Sequence, residues 1–332
     1  MTGAEKLVEV WRGPFCESVH YGHAAIVDTH GAVIRAWGDP DALILPRSSC
    51  KMLQALPLVE SGAADAAGLS EKQLALSCAS HNGAAIHTDA VQSWLADMGM
   101  TDEDFRCGPQ MPDDIPALHA LIKTDSSPCQ YHNNCSGKHS GFLTLNRHLG
   151  GGSEYVEPDH PVQKAVREAF ESVTGMDSPG YGIDGCSAPN FATTVTGLAR
   201  AMAFFANAHN GSSVREKAAA RLTRAMAAFP EMVAGETRAC TELMRAMNGR
   251  VAIKTGAEAV FVAIIPELGL GVALKILDGG TRASECAITA ILANLGVLDP
   301  NHPAARKRMN VPMLNRRGVD TGVIRPAPGF PA

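Results

Sequence analysis

The chain has 332 residues, of which 45% are hydrophobic and 19% charged, and its formal net charge is -5. These values are typical of a globular protein long enough for two lobes, and they exclude the basic stripe that nucleic-acid binding requires. The N-terminal residues lack an apolar signal segment, and no apolar run approaches the ~18 residues that a membrane span needs. We therefore expect a cytoplasmic protein without membrane segments, in which the nine scattered cysteines are reduced thiols.

Alternating apolar and polar residues at 6–12 and 23–37 predict strands of an antiparallel sheet, with a hairpin turn at His30 and Gly31. From about residue 48 to 250 the apolar residues recur with helical spacing. The predicted helices are 51–60, 70–78, 86–98, 115–124, 138–149, 161–174, 192–208, 213–228 and 236–247.

Strand patterns return at 250–277, and one more helix is predicted at 282–296, before a tail with little periodicity. The predicted fold class is α/β, of the α+β type: an antiparallel sheet of N- and C-terminal strands with flanking helices, plus a mostly helical lobe. We expect a sheet lobe at about 1–60 and 250–332, a helical lobe at about 61–249, and a functional site between the lobes.

Residues 46–56 place Ser48 and Lys51 three positions apart at a predicted helix start. One helical turn puts both side chains on one face, where a lysine of lowered pKa could accept the serine proton. The alternative is structural, with Ser48 or Ser49 capping the helix.

Two further short motifs follow in the chain. Ser80 lies in a polar loop, residues 80–83, and Lys254 opens a Lys-Thr-Gly sequence on a predicted strand. Ser-x-x-Lys, then Ser-x-Asn, then Lys-Thr-Gly is the motif order of penicillin-recognising serine hydrolases, which favours a serine nucleophile over a chain of unrelated caps and turns.

Residues 132–141 are interpreted as a loop that opens a helix, and residues 184–189 as a glycine-bounded turn. They contain Cys135 and Cys186 together with histidine and aspartate. Such side chains could form a zinc site from distant segments. Neither loop has a standard zinc spacing, so buried free cysteines are the competing interpretation.

Five segments together resemble the rhizobial-type L-asparaginases, also called class 3 or the asparaginase II family. They are residues 47–51, 80–83, 135–139, 184–186 and 254–258. The resemblance spans nearly the whole chain, and the Cys-Ser-Gly-Lys-His and Asp-Gly-Cys segments are its specific parts.

The resemblance implies a fold like that of serine β-lactamases and glutaminases, and hydrolysis of L-asparagine to L-aspartate and ammonia. It implies two Ser-Lys pairs, Ser48 with Lys51 and Ser80 with Lys254, and Ser48 is expected to attack first. It also implies a zinc ion, held by Cys135, Lys138 and Cys186, that orients the substrate and is not strictly required for the chemical step.

Substrate-binding residues follow from the same matching segments: Arg47, Asn82, His139, Asp184 and Gly256. Asp184 suits the substrate ammonium, and Arg47 and His139 suit a carboxylate or carbonyl. The competing interpretations are a local turn for Asp184, a surface ion pair for Arg47 and a helix cap for His139. Cys240 matches a family cysteine near the pocket.

We also expect the protein to form a homodimer, to act on a small-molecule substrate and to have no nucleic-acid partner. The alternatives are a glutaminase, a β-lactamase-like or esterase-like serine hydrolase, and a non-catalytic zinc-binding protein whose serines only cap helices.

Overall fold

The computed structural model describes residues 3–332, so the first two residues of the predicted sheet lobe lie outside the description. The strands, in chain order, are β1 Glu5–Arg12, β2 Phe15–Val27, β3 Val33–Trp37, β4 Leu43–Ile44, β5 Tyr181–Ile183, β6 Pro189–Phe191, β7 Thr193–Thr194, β8 Ala252–Gly256, β9 Val260–Ile265, β10 Leu270–Ile276, β11 Val311–Leu314 and β12 Asp320–Pro326.

The helices, in the same order, are α1 Lys51–Gln54, α2 Leu56–Glu60, α3 Ala63–Ala66, α4 Glu71–Ser77, α5 Ala85–Asp97, α6 Ile115–Lys123, α7 Ser136–Leu149, α8 Pro161–Thr174, α9 Val195–Asn207, α10 Val214–Ala228, α11 Pro230–Ala234, α12 Ala239–Ala246, α13 Thr281–Asn294 and α14 Pro303–Arg306. Among the described residues no helix is long and apolar enough to cross a membrane.

The chain forms two compact units. The first comprises residues 1–49, 193–207 and 242–332, and the second comprises residues 50–192 and 208–241. The helix α9 belongs to the first unit, although its sequence lies within the long helical stretch. The boundaries near 60 and 250 remain a sequence-based prediction.

The first unit is built on one antiparallel sheet of order β11-β12-β1-β2-β10-β9-β8, with β3 also paired to β2. N- and C-terminal strands meet where β1 pairs with β12 and where β2 pairs with β10. This arrangement confirms the predicted fold class. The apolar runs in β9 and β10 are explained by helices α9 and α13, which pack on these strands.

Glycine 271 explains how closely α9 approaches the sheet. A Cβ atom at this position of β10 would lie 2.1 Å from the backbone nitrogen of Ala203 and 2.2 Å from the carbonyl oxygen of Ala199. Only glycine leaves room for that contact.

The second unit consists of helices and one short hairpin, β5 paired with β6. Helix α7 packs against α2, α3, α4, α5 and α8. The predicted helix at 51–60 is broken at Ala55 into α1 and α2, because Pro57 lacks a backbone N–H and cannot continue the α1 hydrogen-bond pattern.

Candidate active site

The loop that carries Ser80 follows α4 and is fixed at three backbone positions. The Ser80 N–H donates to the carbonyl of Val233, and the His81 N–H donates to that of Asn134. The carbonyl of Asn82 accepts from the N–H of Asp114. Ser80 is therefore held on a rigid frame, as a catalytic side chain requires.

Lys51, on the first turn of α1, is 1% exposed and reaches this loop. Its Nζ lies 3.0 Å from Ser80 Oγ and 3.1 Å from Cys135 Sγ, and it donates to the carbonyl of Ala79. A neutral amine can donate two of these bonds and accept the Ser80 proton with its lone pair. The geometry therefore suits proton exchange between Lys51 and Ser80.

Ser48 lies in a 3-10 helix, Arg47–Cys50, immediately before α1, and is half-buried. The neighbouring Ser49 donates from Oγ to the carbonyl of Pro46 at 2.7 Å. Residue Cys50 occupies the N-cap of α1 and makes no side-chain capping bond. The alternative in which Ser48 or Ser49 caps the helix is therefore not observed.

Arg47 has φ 53, in the left-handed region that non-glycine residues rarely adopt. Such strain is concentrated at functional sites.

Lys254 and Gly256 lie on β8. The Lys254 side chain is fully buried, and its Nζ donates to the carbonyl of Thr255 at 2.8 Å. A Cβ atom at Gly256 would lie 2.6 Å from the carbonyl oxygen of Pro46 and 2.9 Å from the nitrogen of Ser49. The glycine of Lys-Thr-Gly thus lets β8 lie directly against the turn that carries Ser48.

The Cys-Ser-Gly-Lys-His segment begins α7, with Cys135 at the N-cap. A Cβ atom at Gly137 would lie 2.3 Å from the carbonyl oxygen of Leu76 on α4. This glycine therefore serves the close packing of α7 on α4, and through it the position of the Ser80 loop.

Cys186 comes from the turn that joins β5 to β6. The Asp184 N–H donates to the carbonyl of Ala188, and Ser187 has φ 70. Asp184 is half-buried and its Oδ1 accepts from the N–H of Gly185. Residues 184–188 form the predicted turn, whereas Pro189 already belongs to β6, and the two flanking strands were not predicted.

Cys135, Lys138 and Cys186 come together in the second unit, all at most 5% exposed. Lys138 Nζ lies 3.0 Å from Cys186 Sγ. A hydrogen bond from Cys135 keeps the pKa of the Cys186 thiol well below its usual value, despite burial. Burial opposes the Lys138 charge, but the negative charge of Cys186 raises the Lys138 pKa.

Two sulfurs and an amine nitrogen are a donor set that suits zinc. Tetrahedral zinc would place such a nitrogen and sulfur about 3.5 Å apart, so the pair from Lys138 and Cys186 would separate by about half an ångström. The spacing of Lys138 and Cys186 therefore fits the ion once Lys138 loses its proton. Among residues 3–332 no group of three or more His, Cys, Asp or Glu side chains is placed to hold a metal.

His139 lies inside α7, past its first turn, so it does not cap the helix as the competing interpretation supposed. Its ring is fully buried, and Nδ1 is 2.8 Å from the hydroxyl of Tyr155. Burial, followed by the charge of Lys138, lowers the pKa of His139 well below its usual value. Both effects favour the neutral imidazole.

Asn82 is buried, and its amide group makes 3.4 Å contacts with Asp114 Oδ1 and with the N–H of Ala84. Cys240 is 1% exposed, on α12. The substrate-binding role of Asn82 and the position of Cys240 near the pocket therefore remain predictions.

The sequence model of the family described as L-asparaginase II matches residues 8–326. The chain belongs to the L-asparaginase II family. This confirms the resemblance drawn from the five segments, and membership of the L-asparaginase II family supports amidohydrolase activity. No curated protein matches the sequence.

Solved structures similar to this L-asparaginase II family member include Mglu in its native form, at 13% identity and TM-score 0.47, over 84% of this chain and 66% of that one. Another is a beta-lactamase from Mycobacterium bovis, at 15% identity and TM-score 0.45, over 82% of this chain and 94% of that one. This chain thus matches slightly less than two thirds of Mglu. The fold of this chain is established by its strand order.

Four side chains around the site, His81, Ser136, His87 and Tyr155, had no role predicted from the sequence. His81 Nε2 is 2.9 Å from Ser136 Oγ, and the His81 ring stacks on His87 with centroids 4.7 Å apart. Tyr155 is a fully buried partner of His139. His81 and Ser136 stand inside the matched segments and could have been noticed there, whereas Tyr155 is an isolated aromatic in a polar loop.

Proposed function

We propose that this protein hydrolyses the side-chain amide of L-asparagine to L-aspartate and ammonia through a serine nucleophile. The observation that carries the proposal is the buried contact of Lys51 Nζ with Ser80 Oγ at 3.0 Å, in a chain of the L-asparaginase II family. A buried amine beside a hydroxyl can move protons without histidine, and we propose that Lys51 does so for Ser48, its partner in the Ser-x-x-Lys segment.

Ser48 Oγ forms a bond to the amide carbon and gives its proton to the neutral Lys51 amine. The carbon–nitrogen bond then breaks, and the proton leaves with the nitrogen as ammonia. Water next adds to the resulting ester, which releases aspartate and restores the Ser48 hydroxyl. Lys51 exchanges protons with Ser80 during these steps, and Lys254 is the proposed partner of Ser80.

The substrate also carries an ammonium and a carboxylate. We assign Asp184 to the ammonium, and Arg47 and His139 to the carboxylate or carbonyl. Asn82 and Gly256 are proposed to contact the bound amino acid.

We further propose one zinc ion held by Cys135, Lys138 and Cys186. The bound ion would supply a fixed positive charge that orients the substrate. Metal analysis by mass spectrometry should find one zinc per chain, and Cys186→Ser should lose it. Removal of the ion should raise KM more than it lowers kcat.

Ammonia release from asparagine and glutamine, measured side by side, tests the activity. The expected result is faster turnover of asparagine. Equal or faster turnover of glutamine would make the protein a glutaminase, and hydrolysis of a chromogenic β-lactam without ammonia release would favour a β-lactamase-like enzyme.

Ser48→Ala tests the nucleophile. Ser49→Ala is the matched control, because Ser49 Oγ donates a hydrogen bond to the Pro46 carbonyl. Ser48→Ala should reduce kcat at least ~10³-fold with an unchanged melting temperature, and Ser49→Ala should stay active. If neither the wild type nor either variant releases ammonia while zinc is bound, the protein is the non-catalytic zinc-binding alternative.

A homodimer and a cytoplasmic location complete the proposal. Light scattering on the purified protein should give twice the chain mass, and cell fractionation should recover the protein with cytoplasmic markers. A monomeric mass would contradict the homodimer, and recovery outside the cytoplasm would contradict the cytoplasmic location.

A further inference from the structure

His139 has one ring nitrogen with a partner and one without. Nδ1 is 2.8 Å from the Tyr155 hydroxyl, whereas Nε2 has no hydrogen-bond partner among residues 3–332. Both side chains are fully buried. A buried polar atom without a partner is uncommon in folded proteins, so its chemistry requires an explanation.

The backbone of Arg106 fixes the direction of the bond between the two side chains. Its N–H donates to the Tyr155 oxygen at 2.9 Å, so that oxygen already accepts one proton. The phenol has a single proton of its own, and the acceptor in reach is His139 Nδ1. Tyr155 therefore donates to Nδ1, and the ring proton of His139 is on Nε2.

The opposite tautomer is less favourable. With the proton on Nδ1, the tyrosine proton would lose its acceptor and the Nε2 lone pair would also be unpartnered. Two buried groups would then be unsatisfied in place of one. The Nε2–H tautomer leaves a single free donor.

Aromatic rings hold the imidazole in this orientation. The rings of Phe105, Phe142 and Tyr155 contact it edge to face, with centroids 6.5, 5.6 and 5.5 Å away. His139 directly follows Lys138 in α7, so the ring lies beside the residues of the proposed zinc and substrate site. Its free N–H is a pre-oriented donor.

We propose that Tyr155 is a positioning residue that keeps His139 in the Nε2–H tautomer, so that His139 donates a hydrogen bond to a carboxylate or carbonyl oxygen of the substrate. The proposal rests on the amidohydrolase function proposed above, and it specifies the substrate atom: an acceptor oxygen, since a donor group at that point would meet another donor.

Long-range ¹H–¹⁵N correlation spectra of the histidine-labelled, ligand-free enzyme test the tautomer directly. The His139 signals, assigned by their absence in His139→Gln, should show a protonated Nε2 and an unprotonated Nδ1. A protonated Nδ1 would overturn the inference. The spectrum does not depend on activity, so a correct tautomer in a protein that hydrolyses no amide would refute the proposed function alone.

Tyr155→Phe removes the proton that Nδ1 accepts. The expected results are a His139 spectrum that shifts toward the other tautomer and a KM for asparagine about tenfold higher, with kcat within about threefold of wild type. Tyr131→Phe is the matched control, since Tyr131 packs on Phe105 and should change neither. An unchanged spectrum and KM in folded Tyr155→Phe would overturn the role of Tyr155. If Tyr155→Phe does not fold, the wild-type spectrum still decides the tautomer.

Discussion

The proposed role of Lys51 as a proton carrier depends on contacts that its position in the sequence does not specify. The Ser-x-x-Lys spacing predicts that Ser48 is the partner of Lys51, whereas the structure shows the amine bound to Ser80 and Cys135. The Ser80 hydroxyl is assigned by family resemblance to the second pair. A lysine that contacts a serine of that pair can act as the shared proton carrier.

Lys51→Met tests this role, because methionine has similar length and no amine. We expect ammonia release to fall ~10²- to 10⁴-fold, the usual contribution of a general base. The exposed Lys123→Met is the control and should keep full activity. Activity of Lys51→Met within threefold of wild type would contradict a catalytic role for the amine.

At the scale of elements, α7 places Lys138 and His139 by packing tightly on α4. Gly137→Ala should destabilise the protein by about 1–3 kcal/mol, because its Cβ would lie 2.3 Å from the Leu76 carbonyl oxygen and the two helices must separate. Gly152→Ala is the control, since a Cβ there meets nothing within 4 Å. Urea unfolding measures both, and equal midpoints would contradict the packing argument.

The stacked pair of His81 and His87 makes the second unit sensitive to acid. Burial lowers the pKa of both rings below their ordinary value, and the charge of His87 lowers the pKa of His81 further. Below pH ~6.5 the unfolded chain therefore binds protons that the native state does not, and stability falls as pH decreases. Above that pH the two states differ little at these sites.

We expect the free energy of unfolding to decrease by up to about 1.4 kcal/mol per pH unit for each of the two histidines below pH ~6.5. Urea titrations at pH 7.5, 6.5 and 5.5 measure this. The free energy of unfolding of His87→Gln should depend less on pH than that of the wild type. His119→Gln, at an exposed position, should keep the wild-type pH dependence. Equal stability of the wild type at pH 7.5 and 5.5 would show that these rings do not control it.

At the scale of the whole molecule, the C-terminal residues complete the sheet. Strand β12 pairs with β1 over five residue pairs, from Val8 with Pro326 to Arg12 with Gly322. After β12, the Phe330 ring packs edge to face on Trp37 at 5.1 Å. Without these residues β1 would be an unprotected edge strand.

Removal of residues 309–332 should therefore lower the melting temperature and promote aggregation, because the β1 hydrogen-bonding edge becomes exposed. Removal of residues 331–332 alone should have little effect. Differential scanning calorimetry and light scattering compare the two truncations, and a soluble longer truncation with the wild-type melting temperature would contradict a structural role for the tail.

Sequence patterns predicted the antiparallel sheet and most helices, because long amphipathic segments carry their own periodicity. They missed β11 and β12, because neither strand contains a fully buried residue, and they missed the break at Ala55. The five matched segments predicted the family, whereas the contacts of Lys51 with Cys135 and of His139 with Tyr155 are long-range. No local spacing encodes such contacts.

The central claim, a serine nucleophile at Ser48, is tested most directly by covalent labelling. The enzyme is treated with a diazoketone analogue of L-asparagine, quenched, cleaved with trypsin and mapped by mass spectrometry. Cleavage after Arg47 and Lys51 isolates residues 48–51, so an adduct can be located within four residues. We predict stoichiometric modification of Ser48 that excess asparagine prevents; modification of Ser80 instead, or of neither serine in active enzyme, would contradict the assignment.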